Sequence, residues 1–319
     1  MFPNPILPTL TRETMNMQAN SQQPRVCVIM RTKNSDWVID RALSALFSQT
    51  FTDFELTVVD SGSTDRTLDI VRRYPCRLIE IEAADYYPGA VLNSAIEQTT
   101  GDIVVFQNSD TVPLTQHALS HLVAAFDAPD VQAAFGRQIP RPEAVDWVRK
   151  DYDSSFPANE PAPPWLTLSL PFAAMRRTAW ECHSFYEDAW ASEDTEWGHW
   201  AKQNGVVIRY VPEALVMHSH NYSLRQIYGR RFVEGEADSF IYHGGDSSLR
   251  MLRRTLSSSA GDLKYQLARG KFGDLFNVPL RRLVYQWAYF RGRNFGNRRA
   301  LKNDTDRKTG QKAVLSRYE

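Results

Sequence analysis

Short unbroken apolar runs alternate with helically periodic segments over residues 25–126, and this alternation limits the fold more than any other feature. Apolar runs of strand length are typical of strands buried on both faces. Short links between strands and helices favour parallel pairing of successive strands. The chain is therefore predicted to form an α/β fold, with a mostly parallel sheet and helices on both faces. The predicted strands are Val26–Met30, Phe54–Asp60, Cys76–Ile81 and Asp102–Phe106.

The charges of the chain are separated by sign along its length. Residues 250–319 contain 17 Lys and Arg against five Asp and Glu, whereas residues 1–249 contain 20 against 32, so the two parts cancel. This distribution predicts an acidic part that attracts cations and a basic part that meets an anionic surface. Nucleic acid is not expected as a partner, because most of the chain is acidic.

Three regions follow from these patterns. Residues 1–24 contain four prolines and no apolar periodicity, which predicts a flexible arm. Residues 25–235 are predicted to form the α/β domain, and residues 236–319 a basic, mainly helical region. With three widely spaced cysteines and no apolar run of about 20 residues, we expect a cytoplasmic protein or one at the inner face of a membrane.

Polar residues follow three predicted strands at their carboxyl ends, where open α/β sheets bind ligands. Thr32 and Asn34 follow the first strand, Asp60 ends the second, and Asn108 and Asp110 follow the fourth. Asp60 suits either a nucleoside contact or a simple turn. Two oxygen ligands one residue apart, at 108 and 110, suit a hard cation such as Mg²⁺ or Mn²⁺, although such triplets are also common in loops.

Further polar groups lie later in the chain. Glu193 and Asp194 open a predicted helix, where a carboxylate either offsets the helix dipole or serves as a general base. His218 and His220 follow an apolar run. If that segment is extended, its alternate side chains face opposite sides, so at most one imidazole is expected at the site.

Residues 136–190 show no regular periodicity and contain seven prolines. This stretch predicts either a binding wall or a packing subdomain. Its aromatic residues include Tyr152, Phe156, Trp165, Phe172 and Trp180.

Taken in order, these segments resemble the inverting glycosyltransferases of family two, which have a GT-A fold. The matching segments are 28–34, 43–67, 89–93, 101–110, 193–194 and 216–218. They cover roughly residues 25–235. Segments 135–141, 193–197 and 218–222 are most similar to bacterial rhamnosyltransferase-type members.

The resemblance implies a nucleoside-diphosphate sugar donor, a saccharide or lipid-linked acceptor, and Mg²⁺ or Mn²⁺ as cofactor. It implies that Asp194 is the general base and that Asp110 and His218 hold the cation, His218 fitting better than His220. Asn108 replaces the first Asp of the family's DxD motif, which removes one charge from the site. The donor-binding residues it implies are Thr32, Asn34, Asp60, Gly89, Asn93, Asn108 and Arg137.

The sequence does not decide which of Arg137, Arg230 and Arg231 adds positive charge at the phosphates of the donor. The segment from Gln226 to Phe232 resembles the QxxRW motif of processive members, but its spacing is one residue too long and Phe replaces Trp. We therefore do not expect processive polymerisation.

Two other functions stay open from the sequence. A nucleotidyltransferase normally carries a glycine-rich loop after its first strand, and residues 31–36 contain no glycine. A catalytically inactive carbohydrate-binding relative is conceivable because of Asn108. The basic segment Leu280–Arg291 mixes cations with aromatic residues, so it either contacts an anionic membrane or packs on the α/β domain.

Overall fold

The computed structural model describes residues 25–187, 190–270, 275 and 277–302. The predicted flexible arm, residues 1–24, lies outside the described residues. The strands are β1 Val26–Thr32, β2 Phe54–Asp60, β3 Arg77–Glu80, β4 Ile103–Gln107, β5 Val112–Pro113, β6 Val131–Ile139, β7 Phe172–Arg176 and β8 Val207–Met217. The helices are α1 Ile39–Phe47, α2 Thr67–Val71, α3 Pro88–Glu97, α4 Ala118–Ala124, α5 Asp146–Ser155, α6 Arg177–Cys182, α7 Glu193–Gln203, α8 Leu224–Ile241, α9 Ser248–Ala268 and α10 Asn277–Leu301.

The eight strands form one sheet in the order β3-β2-β1-β4-β7-β6-β8-β5. The first four pair in parallel, as the alternation of apolar runs predicts. In β1, Val28 and Met30 pack into the core beneath α1 and α4, whereas Cys27 and Ile29 pack beneath α3 and α7. Both faces of β1 are therefore buried, which explains why its sequence is almost continuously apolar. The prediction of an α/β fold with helices on both faces is confirmed.

The other half of the sheet is mixed, and the sequence did not reveal it. β7 runs antiparallel to β4 and to β6, and β6 pairs with β8 in parallel. Residues 136–190 therefore contain the end of β6, two helices and β7, so the expectation of an irregular stretch was wrong there. Phe156, Phe172 and Trp180 pack in the core, whereas Trp165 is exposed. The stretch was misjudged because its elements are short and separated by prolines.

The C-terminal helices pack against each other through small residues and buried ion pairs. α8 runs through residue 235, the predicted domain boundary, and lies along α10. The guanidinium of Arg282 contacts Asp262 at 2.6 Å and Asp151 at 2.9 Å, and Arg299 pairs with Glu236. Arg231 lies over the rings of Tyr285 and Tyr289. Part of the basic segment is therefore neutralised by the protein itself.

None of the described helices combines the length and the apolar character needed to cross a bilayer.

The close approach of α8 and α10 depends on Gly292. A Cβ atom at this position would overlap the carbonyl oxygen of Phe232. We expect Gly292→Ala to lower the free energy of unfolding by about 1–3 kcal/mol, because the backbone of α8 cannot move aside cheaply. Gly261→Ala on α9 is the matched control: its Cβ meets only the end of the Lys150 side chain, and the better helix propensity should add up to about 1 kcal/mol. Urea unfolding of both variants would test this, and equal stabilities would contradict it.

Candidate active site

The loops that follow β1 and β4 lie side by side at the carboxyl edge of the sheet. The Ser109 amide donates to the carbonyl oxygen of Arg31 at 3.3 Å, and the hydroxyls of Ser35 and Ser109 are 2.9 Å apart. Parallel pairing of β1 with β4 brings about this meeting, because it places the ends of both strands at one edge. Polar residues 74 positions apart in the chain thereby become neighbours.

A carboxylate and two imidazoles meet just beyond β4. Nε2 of His220 lies 3.0 Å from Oδ2 of Asp110, and Nε2 of His218 lies 3.7 Å from Oδ1. The three ligand atoms lie within 4.8 Å of one another. The expectation that only one of the two histidines reaches this site was wrong, because β8 ends at Met217 and the histidines that follow belong to no strand. One oxygen and two imidazole nitrogens at this spacing suit a transition-metal ion such as Mn²⁺.

The surroundings of this cluster lower the pKa values of Asp110 and His218. Burial by itself raises the pKa of Asp110, but the imidazoles of His218 and His220 and the guanidinium of Arg141 outweigh it, and the pKa lies well below its ordinary value. Burial lowers the pKa of His218 to about 4, against the opposing charge of Asp110. At neutral pH the carboxylate is therefore ionised and the His218 imidazole neutral, which are the forms that bind a metal ion.

Two residues that the sequence analysis did not select hold His218 in place. Nδ1 of His218 lies 2.9 Å from Oε1 of Gln138 and 3.1 Å from the hydroxyl of Tyr152. The Gln138 oxygen can only accept, so Nδ1 carries the proton and Nε2 keeps its lone pair toward Asp110. Arg141 braces the same loop through the carbonyl oxygens of Asp110 and Ser219. Gln138 and Arg141 lie in the segment that carries the rhamnosyltransferase likeness.

Asp194 lies at the start of α7 next to a buried ion pair. Nη1 of Arg31 contacts Oε1 of Glu193 at 2.7 Å, which anchors the helix start to the end of β1. Ser192 occupies the N-cap position in a left-handed conformation, with φ at 68°, and its side chain caps nothing. Burial, reinforced by the charge of Glu193, raises the pKa of Asp194 to about 6. A carboxylate with such a pKa is a stronger proton acceptor near neutral pH than an ordinary Asp.

Three consecutive residues before β7 connect Asp194 to the cation cluster. Ser169 accepts a hydrogen bond at 2.8 Å from Gln138, the residue that holds His218. The Leu170 amide is 3.5 Å from Oδ2 of Asp194, and the Pro171 carbonyl accepts from the Asn108 amide at 3.1 Å. One short segment thus contacts the partners of both groups. Asp194 and Asp110 are therefore brought to the same edge of the sheet.

Asp60 and Asn34 form a second part of the edge. The Asp60 carboxylate accepts from the amides of Gly62 at 3.0 Å and Ser63 at 2.8 Å, and from the Ser63 hydroxyl. Asn34, with φ at 46°, accepts from the Thr64 amide and so ties the two turns together. A cleft of about 630 Å³ lies beside Asp60, between β3 and α3. The buried Thr32 hydroxyl has no hydrogen-bond partner among the described residues.

The other three predicted donor-binding residues have structural contacts. The amide of Asn93 donates to the Phe185 carbonyl and to Glu187, and it accepts from Trp180 and from the Phe185 amide. Its hydrogen-bonding capacity is filled, so a direct donor contact would require one of these bonds to break. Gly89 lets the backbone of Tyr186 approach α3 closely. Both residues position the loop that leads toward α7.

Arg137 contacts the residue that follows α5. Its Nε donates to the Phe156 carbonyl at 3.3 Å. Of the three arginines considered for the phosphates, Arg230 lines a cavity of about 190 Å³ together with His218, His220 and Tyr222. Arg230 contacts the Tyr222 hydroxyl and Oε1 of Glu234, both at 2.9 Å, and Arg231 is also held by Glu234. No sequence signal separated these arginines, because all three are distant in the chain from Asp110.

Solved structures share this fold. The mannosyltransferase PcManGT from Pyrobaculum calidifontis, solved with GDP-Man and Mn²⁺, aligns with a TM-score of 0.60 at 19% identity, over 92% of this chain and 93% of that one. TarS from S. aureus, solved with UDP, aligns with a TM-score of 0.52 at 18% identity, over 88% and 92%. The sheet and its surrounding helices therefore form the GT-A fold of nucleotide-sugar glycosyltransferases.

Residues 27–191 match the family Glycosyl transferase family 2, and the chain belongs to this family. The O-antigen chain rhamnosyltransferase RfbN of Salmonella typhimurium is 30% identical over 224 residues, which cover 66% of this chain and 71% of that protein. WbaN of Salmonella anatum, described in the same words, is 31% identical over 203 residues, 60% of this chain and 64% of that protein. The resemblance inferred from the sequence motifs is confirmed, including its rhamnosyltransferase-type relatives.

Gln138 provides a test of the cation cluster. We expect Gln138→Leu to weaken Mn²⁺ binding by about 10- to 100-fold, because His218 loses the group that fixes its orientation and tautomer. Gln132→Leu is a control on the same strand, since Gln132 contacts only the carbonyls of Pro129 and Asp130. Isothermal titration with Mn²⁺ would measure both affinities. Unchanged affinity in Gln138→Leu would mean that Gln138 does not position a cation ligand.

Proposed function

We propose that the protein is an inverting glycosyltransferase that moves a sugar from a nucleoside-diphosphate donor to a hydroxyl of a saccharide or lipid-linked acceptor. The observation that carries the proposal is the pair of carboxylates at one sheet edge whose pKa values are displaced in opposite directions. The pKa of Asp194 is raised to about 6, and the pKa of Asp110 is held well below its ordinary value. Such a pair can divide the work of proton transfer and cation binding.

In the proposed reaction, the acceptor oxygen attacks the anomeric carbon while the bond from that carbon to the diphosphate oxygen breaks. Asp194 takes the acceptor proton as the new bond forms, and the nucleoside diphosphate leaves from the opposite face. A sugar hydroxyl is a poor nucleophile, so proton removal at this stage lowers the barrier. The Asp194 carboxylate accepts from the Thr195 amide at 2.8 Å and lies 3.5 Å from the Leu170 amide, and this positioning supports its role as the base.

Asp110, His218 and His220 would hold a divalent cation, Mg²⁺ or Mn²⁺. When bound, such a cation neutralises the charge that gathers on the leaving diphosphate. Two imidazole ligands favour Mn²⁺ over Mg²⁺, since Mg²⁺ prefers oxygen ligands. Arg230 lines the adjoining cavity with Tyr222, and its guanidinium, which also pairs with Glu234, is the proposed further positive charge beside the phosphates.

Asn108, the departure from the DxD motif, does not remove a cation ligand that the site needs, because His220 adds a second imidazole to the set. The cleft beside Asp60 is the proposed nucleoside subsite, with the Thr32 hydroxyl available for a hydrogen bond. Two relatives at about 30% identity are described as O-antigen chain rhamnosyltransferases. A rhamnose donor and an oligosaccharide acceptor are therefore the first substrates to examine.

Of the two other functions, a nucleotidyltransferase receives no support, since the chain belongs to a glycosyltransferase family. An inactive carbohydrate-binding relative is the alternative that the following test decides.

The test is release of nucleoside diphosphate from a donor panel: nucleoside-diphosphate rhamnose, GDP-mannose and UDP-GlcNAc, with Mn²⁺ and an oligosaccharide acceptor. We expect turnover with one donor and inversion at the anomeric carbon by NMR. Asp194→Asn should reduce that turnover by roughly 10²–10⁴-fold, while donor affinity in titration changes little. The amide keeps the shape of the carboxylate but cannot take the proton.

Glu196→Gln is the matched control for this variant, because Glu196 lies on the same helix but faces His183 at 3.1 Å. Its turnover should stay close to that of the unchanged protein. Near-normal turnover in Asp194→Asn would exclude Asp194 as the base. Donor binding without turnover in the unchanged protein, across the panel and a range of acceptors, would favour the inactive relative.

The raised pKa of Asp194 predicts the pH dependence of the reaction. The base must be ionised, so kcat/KM should fall as the pH drops below about 6 and level off above it. Glu193→Gln removes a negative charge that raises this pKa, and the acidic limb should move to lower pH by roughly one unit. A pH profile of kcat/KM for both proteins measures the shift. An acidic limb that stays in place would mean that another group titrates there.

A further inference from the structure

α9 buries mostly polar residues and exposes leucines, whereas a surface helix usually does the opposite. The residues that it turns toward the protein are mostly polar: Met251, Thr255, Ser259, Asp262 and Gln266. Its exposed positions include four leucines, of which Leu249 and Leu256 are 68% and 63% exposed, and Leu252 and Leu267 about half. A surface helix normally buries its apolar face in the core. The leucine side chains of this helix are therefore accessible to a binding partner.

The polar face of α9 is firmly attached to the rest of the protein. Asp262 contacts Lys150 of α5 and Arg282 of α10, both at 2.6 Å. The Tyr265 hydroxyl donates to Asp153 at 3.0 Å. These contacts hold the helix by its polar side. The leucines are thus not required to attach α9 to the protein.

The leucines of α9 form one narrow stripe with cations along one side. At about 100° per residue, Leu249, Leu252, Leu256, Leu263 and Leu267 fall within about 60° of the helix circumference. Arg253, Lys264 and Arg250 follow within about the next 100°. All three cations are exposed. The stripe therefore has an apolar centre and a basic flank along the length of the helix.

A depression beside Leu249 concentrates this positive charge. It measures about 460 Å³ and is lined by Arg250, Arg253 and Arg254 with the hydroxyl-bearing Ser247 and Ser257. Asp246 pairs with Arg254 and lies 3.5 Å from Arg250, so it offsets part of this charge. Guanidinium groups and hydroxyls are the donors that bind phosphate oxygens in proteins. The depression thus suits the phosphate of a lipid headgroup next to an apolar stripe.

α10 adds exposed apolar residues of the same kind. Leu280, Leu283 and Trp287 are 40–50% exposed at helical spacing, and the Arg291 guanidinium lies 6.0 Å from the Trp287 ring centroid. Tryptophan beside a cation is typical of segments at a membrane interface.

We propose that the α9 leucine stripe, with its basic flank, docks the protein on an anionic lipid surface. The apolar side chains would enter the headgroup boundary, while Arg250, Arg253 and Lys264 contact lipid phosphates. The charges disfavour a second copy of the chain as occupant, because a paired stripe would bring the two basic flanks together. The proposal is independent of the proposed reaction, and a lipid-linked acceptor would give the docking a purpose.

Sedimentation of the full chain with vesicles tests the proposal. The vesicles are phosphatidylcholine alone, and phosphatidylcholine and phosphatidylglycerol in equal amounts. We expect binding to the anionic vesicles that weakens with salt. Leu252→Gln/Leu256→Gln should reduce the partition coefficient roughly tenfold or more, because both side chains leave the bilayer boundary. Arg250→Gln/Arg253→Gln should also reduce it roughly tenfold, through lost charge.

Leu114→Gln is the matched control, since Leu114 is similarly exposed but lies after β5. Its partitioning should equal that of the unchanged protein. Thermal unfolding of every variant checks folding, and the arginine pair tests the surface separately from the leucines. The proposal is overturned if the unchanged protein ignores anionic vesicles, or if both double variants bind them as well as it does. It is also overturned if the leucine pair only converts a dimer to a monomer in analytical ultracentrifugation without changing vesicle binding.

Discussion

The antiparallel strand β7 fixes the geometry of the active site. It lies between β4 and β6, and the segment before it, Ser169–Pro171, contacts the neighbours of both carboxylates. Side chains form part of this link, since Leu170 contacts the Asp194 carboxylate and Ser169 contacts the Gln138 amide. Asp194 is also held by its place at the start of α7, which the ion pair of Arg31 with Glu193 anchors. A reaction between two groups depends on such positioning.

The two carboxylates show how one sheet edge provides two chemistries. Asp110 is surrounded by imidazoles and a guanidinium, which favour its ionised form despite burial. Burial raises the pKa of Asp194, and the negative charge of the neighbouring Glu193 adds to this effect. Arg31 pairs with Glu193 but offsets this effect only in part. In the proposed reaction, these surroundings suit Asp110 to cation binding and Asp194 to proton transfer.

Buried ion pairs hold the C-terminal helices together, whereas apolar packing holds the α/β part together. Arg282 and Arg299 are buried against carboxylates, and glycines let α8 and α10 approach closely. Part of the positive charge that the sequence concentrates after residue 250 is therefore internal. Tyr285 and Tyr289 pack beneath Arg231, as the packing interpretation of this segment expected. The leucines of α9 face outward because the contacts of the inner face are already polar.

The sequence by itself determined the four parallel strands, the helices between them and the family, because these depend on local periodicity and ordered motifs. It pointed to Asp110 and Asp194 as chemistry-bearing residues through their positions after a strand and at a helix start. Only the tertiary structure showed that both His218 and His220 lie at Asp110. It also showed that protein groups occupy all the hydrogen-bonding positions of the Asn93 amide, and that Gln138 and Tyr152 contact His218. These outcomes depend on where β8 ends and on contacts between residues distant in the chain. No periodic pattern in the sequence predicts the end of β8 or these contacts. Hydrogen-bond partners depend on distance in the folded protein and not on spacing along the chain.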